Sequence, residues 1–287
     1  MGAFSVLNNL SSLVAQQQSS ANQLSLQKTL FRLSSGSRVN RGGDDAAGLA
    51  IADGLRGQIR TLQQSVRNAN DGIGFIQVAD SALGQVSNLL TRAASLLTQA
   101  ASSTNSSSES AIETELAQIY QEIDRIGTAT QYNGVAVFSS GARDIFVGDT
   151  QNLSPANAQI SFDTSALNVS DLGLSDGVTS SGSSITVNIN PSGAASAAKM
   201  LADVEAAIDE VATRRGRLGA RMNRLENSVS IMQSQIQNLT AAESQIRDAD
   251  MAAEIANLTK FQILSQVGTA AMAQANSVPQ GILSLLR

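Results

Sequence analysis

The chain has 287 residues and a net charge of −5, and aromatic residues make up only 3% of it. This acidic balance argues against nucleic acid or an anionic membrane surface as the main partner. The sequence contains no Cys and no His. Their absence excludes disulfide cross-links, the common zinc sites, and nucleophilic machinery built on Cys or His.

Both ends of the sequence lack charged side chains, over residues 1–27 and 261–286. In each segment, apolar residues recur at steps of three and four, which is typical of an apolar seam along one face of a helix. The other faces carry Gln, Ser, Asn and Thr where a solvated helix would carry Lys and Glu. We therefore expect both ends to be buried in an assembly of many copies. The seam residues predicted to drive assembly are Leu7, Leu10, Val14, Leu24, Leu264, Val267, Val278, Ile282 and Leu285.

The uncharged C-terminal segment is not predicted to span a membrane. Gln, Asn and Pro interrupt it too often to reach the ~18 consecutive apolar residues that a transmembrane helix needs. The N-terminal segment lacks the basic region and apolar core of a cleavable signal peptide.

The interior of the chain predicts two long helices and one shorter helix. Residues 45–101 contain no proline and hold a regular apolar seam, which favours a bundle or coiled coil over a compact enzyme core. Asp80 interrupts this seam, and Ala79 can take its place. A Ser/Thr/Asn turn follows, and the helix after it should fold back antiparallel because the connection is short. A second long helix should begin at about Ala194.

The middle of the sequence predicts a small β-subdomain with exposed loops. Short strands bounded by turn residues are expected at Val135–Phe138, Asp144–Val147, Gln159–Phe162 and Ile185–Ile189. The predicted fold class is therefore mainly α, a long antiparallel helical bundle or coiled coil with a small β-subdomain at its tip.

Two carboxylate pairs are the candidates for chemistry: Asp44 with Asp45, and Asp248 with Asp250. Capping of the helix that follows explains the first pair better than catalysis or metal binding. The second pair could likewise cap the next helix or pair with an Arg. We expect no catalytic residue, no cofactor, no metal site and no enzymatic activity.

A run of arginines on the second long helix admits two interpretations. Nucleic-acid binding is one, but the sequence lacks interleaved aromatic residues and is acidic overall. A solvated or partner-facing helix surface is the interpretation we favour. The run consists of Arg214, Arg215, Arg217, Arg221 and Arg224.

Two motifs resemble the bacterial flagellins. The segment from Leu33 to Ala52, LSSGSRVNRGGDDAAGLAIA, is similar to the N-terminal signature of that family. The C-terminal run begins RDADMA at Arg247 and includes GTA at Gly268 and AQAN at Ala273. It continues through Pro279-Gln280 and closes with LSLLR. The resemblance covers about residues 1–165 and 195–287.

The resemblance implies a secreted, extracellular subunit that self-polymerises into the flagellar filament and transmits motor torque for swimming. It implies that the N- and C-terminal helices pair as an inner coiled coil, with a helical bundle around it. It also implies export without a cleaved signal, and as partners an export chaperone, the export apparatus, a filament cap and hook-junction proteins. Asp44, Asp45, Asp248 and Asp250 would mark the hinge between the inner coiled coil and the bundle.

These implications divide the chain into five segments. Residues 1–40 and 251–287 would form the two halves of the inner coiled-coil domain, and residues 41–174 and 194–250 the helical-bundle domain. Residues 175–193 would be a short exposed insertion where longer flagellins carry outer domains.

The chain departs from the family at the helix that an innate immune receptor recognises. Flagellins usually have the sequence LQRVREL there, and this chain has LTRAASL from Leu90. Arg92 is kept, whereas Ala94 and Ser95 replace an Arg and a Glu. We therefore expect weak or absent receptor recognition.

Three other functions compete with a filament subunit as interpretations of the sequence. A hook–filament junction protein shares the terminal signatures, but the closing LSLLR favours a flagellin. A soluble signalling coiled coil would not have uncharged ends. The enzymes inserted into a few flagellins need His at their metal site.

Overall fold

The structure is a computed structural model that describes residues 9–102, 109–148, 158–181, 184–189 and 194–285. These residues form α-helices joined by short β-hairpins, so the predicted mainly α fold class is confirmed. The helices are α1 (Leu10–Ser35), α2 (Ala46–Ala100), α3 (Glu109–Ala129), α4 (Ala194–Arg247) and α5 (Met251–Leu285).

The chain divides into two compact units. Unit 1 comprises Met1–Ile59 and Gln237–Arg287, and unit 2 comprises Arg60–Ile236. Helices α2 and α4 each contribute residues to both units. The five segments predicted from the sequence begin and end at turns, so their boundaries differ from those of the two units. The predicted boundaries stay a prediction.

Helix α2 supplies the apolar stripe at the centre of unit 2. Its buried residues recur at steps of three and four and include Leu62, Ala69, Ile76, Ala79, Leu83, Val86, Leu90, Ala93 and Leu97. Ala79 is fully buried, and the neighbouring Asp80 forms an ion pair with Arg215 at 2.8 Å. The seam therefore passes Asp80 as the sequence predicts.

The regular spacing of the apolar seam in residues 45–101 predicts that Val66 and Ile73 are buried, but both are only half-buried. Ser65 and Gly72 are buried there instead. A Cβ on Gly72 would lie 1.8 Å from the Cδ1 atom of Ile145, and the Ser65 hydroxyl donates to the Gly148 carbonyl. Small residues at these positions let a β-hairpin pack close to the helix.

Three two-stranded antiparallel sheets follow α3. They pair β1 (Gln131–Tyr132) with β2 (Val135–Ala136), β3 (Ala142–Phe146) with β4 (Gln159–Asp163), and β5 (Val178–Ser181) with β6 (Ser184–Val187). The four predicted strands each overlap an observed strand by at least two residues. The sequence missed β1 and β5, because two residues are too short to alternate and Val-Thr-Ser-Ser is mostly polar.

Tyr120 of α3 lies in the core of unit 2, where its side chain is 1% exposed. Burial, together with the nearby Asp203 carboxylate, raises the pKa of its phenol to about 12. Both causes disfavour the phenolate, since it would be poorly solvated and would face a negative charge.

This raised pKa predicts a specific loss of stability at high pH. The unfolded phenol titrates near pH 10, so the neutral form stabilises the native state fully below that pH and loses its advantage as the pH rises through about 12. We expect this residue to account for about 2 kcal/mol of stability lost between pH 10 and 12, out of about 3 kcal/mol lost in total from below pH 10 to above pH 12, at 1.36 kcal/mol per pKa unit. Denaturant unfolding followed by far-ultraviolet circular dichroism at pH 8, 10 and 12 would measure it. Tyr120→Phe should show a smaller loss than the wild type, and identical losses would contradict the assignment.

Candidate assembly surface

Helices α1 and α5 pair antiparallel in unit 1. The Asn9 side-chain amide donates to the Ala275 carbonyl at 2.8 Å near one end of the pair. Gly268 packs against Ser19 in the middle. Arg32 and Glu254 form an ion pair at 3.4 Å near the other end.

The face that α1 turns inward carries mostly small or polar residues, together with two leucines. Its less exposed positions recur at steps of three and four: Ser12, Ala15, Ser19, Asn22, Leu26, Thr29 and Leu33. The corresponding positions of α5 are Glu254, Leu258, Phe261, Ser265, Gly268, Met272 and Ala275. Both sets keep the heptad spacing of a coiled coil, with Ser, Gly and Ala at several contact positions.

The predicted seam of α1 lies on the outward face. Leu10, Val14 and Leu24 are 70%, 57% and 62% exposed. The apolar residues and the small residues of α1 recur with the same period but lie on different faces of the helix. The small residues face α5, because they let two helices pack closely. Leu10, Val14 and Leu24 are therefore free to contact another molecule.

Of the remaining predicted seam residues, the structure describes the side chains of two. Leu264 is half-buried and Val267 is 57% exposed. Leu7 lies outside the described residues, as do the side chains of Val278, Ile282 and Leu285. The assembly role of all these residues stays a prediction.

Exposed large apolar side chains are concentrated in unit 1. Among the described residues, only Val135 and Ile231 of unit 2 also belong to this class. Several members were not predicted from the sequence, and of these only Leu13 and Ile263 lie in the uncharged stretches. The unpredicted members in unit 1 are Leu13, Leu30, Phe31, Ile51, Met251, Ile255 and Ile263.

The predicted carboxylate pairs lie at the starts of α2 and α5. Asp45 Oδ1 accepts from the Gly48 amide at 2.9 Å, and Asp250 Oδ1 accepts from the Ala252 and Ala253 amides. Both geometries are those of helix N-caps. Asp44 closes the preceding turn by accepting from the Arg41 amide.

The two linkers that carry these residues are bonded to each other within unit 1. Ser37 and Asp248 form an antiparallel bridge, in which the Arg38 amide donates to the Arg247 carbonyl and the Ala249 amide donates to the Gly36 carbonyl. The Asp248 carboxylate accepts from the Ser244 hydroxyl at 2.5 Å. The structure therefore brings both signature segments together. A hinge role for the four Asp residues stays a prediction.

An ion-pair network lies beside these linkers. Glu243 of α4 contacts Arg56 of α2 at 2.7 Å and Arg247 at 3.8 Å, and Arg247 also contacts Asp53 at 3.3 Å. Glu243 is only 15% exposed, so its charge requires these cationic partners.

The helix that departs from the family's receptor motif lies in unit 2. Leu90 is fully buried, so its side chain faces the core, and Ala94 is half-buried. Arg92 is 59% exposed and forms an ion pair with Glu115 at 2.7 Å, while the Ser95 hydroxyl donates to the Arg92 carbonyl. Of the four predicted contact residues, only Arg92 and Ser95 are exposed.

Within the described helices, no stretch is both long and apolar enough to cross a membrane.

Comparison with known proteins agrees with this architecture. The bacterial flagellin N-terminal helical region matches residues 6–142, and the C-terminal helical region matches residues 201–286. The flagellin of Bacillus subtilis (strain 168) is 36% identical, over 98% of this chain and 99% of its own length. The flagellar filament 33 kDa core protein of Treponema phagedenis is 39% identical, with the same coverage.

A solved structure shares the fold. It is described as a flagellar hook-associated protein from Vibrio parahaemolyticus, and it aligns with a TM-score of 0.55 at 14% identity, covering 71% of this chain and all of that chain. At this identity the likeness concerns the fold alone.

The paired terminal helices and the helical core define a structural protein of the bacterial flagellum. Both family regions are present, and the relatives match over nearly their whole length. The chain belongs to the bacterial flagellin family. Flagellins form the extracellular filament of the flagellum, and this chain is a short flagellin.

The contact between α1 and α5 predicts opposite effects for two substitutions at Gly268. A Cβ there would lie 3.8 Å from the Ser19 side chain, which is ordinary contact. Gly268→Ala should therefore stabilise α5 by about 1 kcal/mol, because Gly is a poor residue in a helix interior. Gly268→Leu should separate the two helices. Amide hydrogen exchange of α5 would show slower exchange for the first variant and faster exchange for the second.

Gly219→Ala provides the control, because a Cβ at Gly219 of α4 would meet nothing within 4 Å. It should leave the exchange of α5 unchanged. Slower exchange in Gly268→Leu would contradict close packing at this position.

Proposed function

We propose that this chain self-polymerises into the flagellar filament, and that the outward apolar faces of α1 and α5 form the contacts between subunits. The observation that carries the proposal is the concentration of exposed apolar side chains in unit 1. Soluble monomers rarely expose large contiguous apolar patches, and such patches usually mark interaction sites.

Burial of these side chains supplies the driving force. Each fully buried Leu, Ile or Val contributes roughly 1.5–3 kcal/mol before the cost of ordering the chain. Leu10, Leu13 and Val14 form one such group on α1, and Ile263 and Val267 form another on α5. Several partly exposed side chains of this kind are enough to favour repeated association.

The lack of charge makes that burial possible. Residues 1–27 and 261–286 contain no Asp, Glu, Lys or Arg. A charged side chain buried without a partner would cost several kcal/mol, whereas Ser, Gln and Asn can pair with one another in a tightly packed interior. The same composition therefore serves the inner contact of one subunit and the outer contacts between subunits.

A filament subunit also transmits torque, so its contacts must hold while the filament bends and rotates. We propose that the packed core of unit 2 provides the rigid body, and that the linkers at Gly36–Arg38 and Arg247–Ala249 absorb the change in geometry. The export chaperone, export apparatus, filament cap and hook-junction proteins complete the proposed set of partners. No catalytic step is part of the proposal.

A substitution on the outer face of α5 tests the assembly proposal. Val267 is 57% exposed in the single chain, so Val267→Asp should leave the monomer folded. It should abolish polymerisation, because the charge would become buried between subunits. Electron microscopy and sedimentation after seeding with filament fragments would measure this.

Val267→Ala is the matched control, since it shortens the side chain without adding a charge. It should polymerise at a critical concentration raised several-fold at most. Normal filaments from Val267→Asp would show that this face lies outside the contacts.

Weak recognition by the innate flagellin receptor is a separate proposal. It rests on the loss of the family's second Arg and its Glu at Ala94 and Ser95, and on the engagement of Arg92 by Glu115. A reporter-cell assay should show little response at nanomolar protein. Restoring both charged residues with Ala94→Arg and Ser95→Glu should raise the response at least about tenfold. A full response from the unmodified chain would refute the proposal.

A further inference from the structure

Three arginines of the run on α4 line one cavity. Arg214, Arg217 and Arg221 are spaced three and four residues apart and therefore share one face of the helix. They line a cavity of about 230 Å³ in unit 2. We call this cavity the arginine cleft.

The other walls of the arginine cleft are built from the β3–β4 hairpin and the apolar core. Asp163, Thr164 and Ser165, at and just after the end of β4, lie opposite the arginines. Thr164 is buried, and its hydroxyl donates to the Val137 carbonyl at 2.6 Å, which holds this segment in place. The apolar lining is formed by Leu83, Phe138, Phe162 and Leu218.

Two of the three guanidinium groups are fixed by hydrogen bonds. Arg214 donates to the Glu210 carboxylate at 2.8 Å and to the Ala166 carbonyl at 3.1 Å, and its side chain is only 15% exposed. Arg221 donates to the Ser161 carbonyl at 2.6 Å. A guanidinium has five N–H donors, so both groups keep donors for a further acceptor.

The charge of the arginine cleft is not balanced by its own residues. Glu210 compensates Arg214. Arg221 donates only to a backbone carbonyl, which carries no net charge. Arg217 makes no hydrogen bond or ion pair with the described residues, and Asp163 is the only other charged group that lines the cavity. One positive charge therefore remains when Asp163 is counted.

We propose that the arginine cleft binds a small tetrahedral oxyanion such as inorganic phosphate or sulfate. Guanidinium groups bind such anions through paired, charge-assisted hydrogen bonds. The apolar lining strengthens them, because the interaction of charges rises as the local dielectric constant falls. The volume lies below the roughly 300–1,000 Å³ of sites for drug-sized ligands, and it suits one hydrated oxyanion.

The arginine cleft gives no support to the nucleic-acid interpretation of the run. Polynucleotide binding needs a positively charged track with stacking surfaces along it. Arg214, Arg215 and Arg221 are instead engaged by groups of the chain itself. An internal ion pair between Arg217 and Asp163 is the competing explanation for these residues, and the test separates the two.

The test is a titration of the full-length monomer with sodium phosphate at constant ionic strength, using chloride as the replacement salt. Amide resonances of Thr164, Ser165 and Leu218 should shift and saturate. Arg217→Gln should raise the apparent Kd at least about tenfold, the loss expected when charge-assisted hydrogen bonds are removed. Asp163→Asn should lower the Kd about threefold or more, because it removes a negative charge beside the anion.

Arg60→Gln is the matched control. Arg60 is an exposed arginine of α2, and it precedes Leu83 by about 35 Å of helix at 1.5 Å per residue. Its removal changes the net charge equally and should leave the Kd unchanged. Shifts that do not saturate, or equal affinities for Arg217→Gln and Arg60→Gln, would overturn the proposal. Weaker binding by Asp163→Asn would overturn it as well.

Discussion

The pairing of α1 with α5 is the contact on which the arrangement of unit 1 depends. Small and polar side chains occupy its centre, with Gly268 against Ser19 and Asn9 bonded to the Ala275 backbone. These residues share the inner face with a few larger side chains such as Leu26 and Leu258, and most of the large apolar side chains of the two helices remain outside it. A pair built the other way, with its leucines inward, would be a more stable monomer with less apolar surface for association.

The ends of this pair are held by groups that the charge-free stretches themselves lack. Arg32 and Glu254 lie just beyond those stretches, and their ion pair joins the base of α1 to the base of α5. Glu254 is 8% exposed, which requires a cationic partner. The bridge between Ser37 and Asp248 joins the same two helices through the backbone. The register of the pair is thus set at its base, and the helices beyond can keep a face free of charge.

Unit 2 has a different balance of forces. Its α2 stripe is filled by Leu, Ile and Ala, and its β3–β4 hairpin lies directly on the small residues Ser65 and Gly72. Charged groups stay at the edges of this core, as in the pair of Asp80 with Arg215. Unit 2 therefore buries its own apolar stripe, whereas the apolar faces of unit 1 remain exposed. This contrast suits a subunit that must fold as a rigid body and also associate.

The sequence by itself determined the helical class, the bounds of the long helices and the family. Long proline-free seams specify helices through local periodicity, and the motifs at Leu33–Ala52 and Arg247–Ala252 are local patterns as well. Only the tertiary structure decided which face of α1 meets α5. Apolar and small-polar residues share the same period there, so periodicity cannot choose between Leu10 and Ser12. In the folded pair, Gly268 meets Ser19, so the small-residue face and not the face of Leu10 forms the contact. The same holds for the arginine cleft, because only the fold brings Asp163 and Arg217 to one cavity.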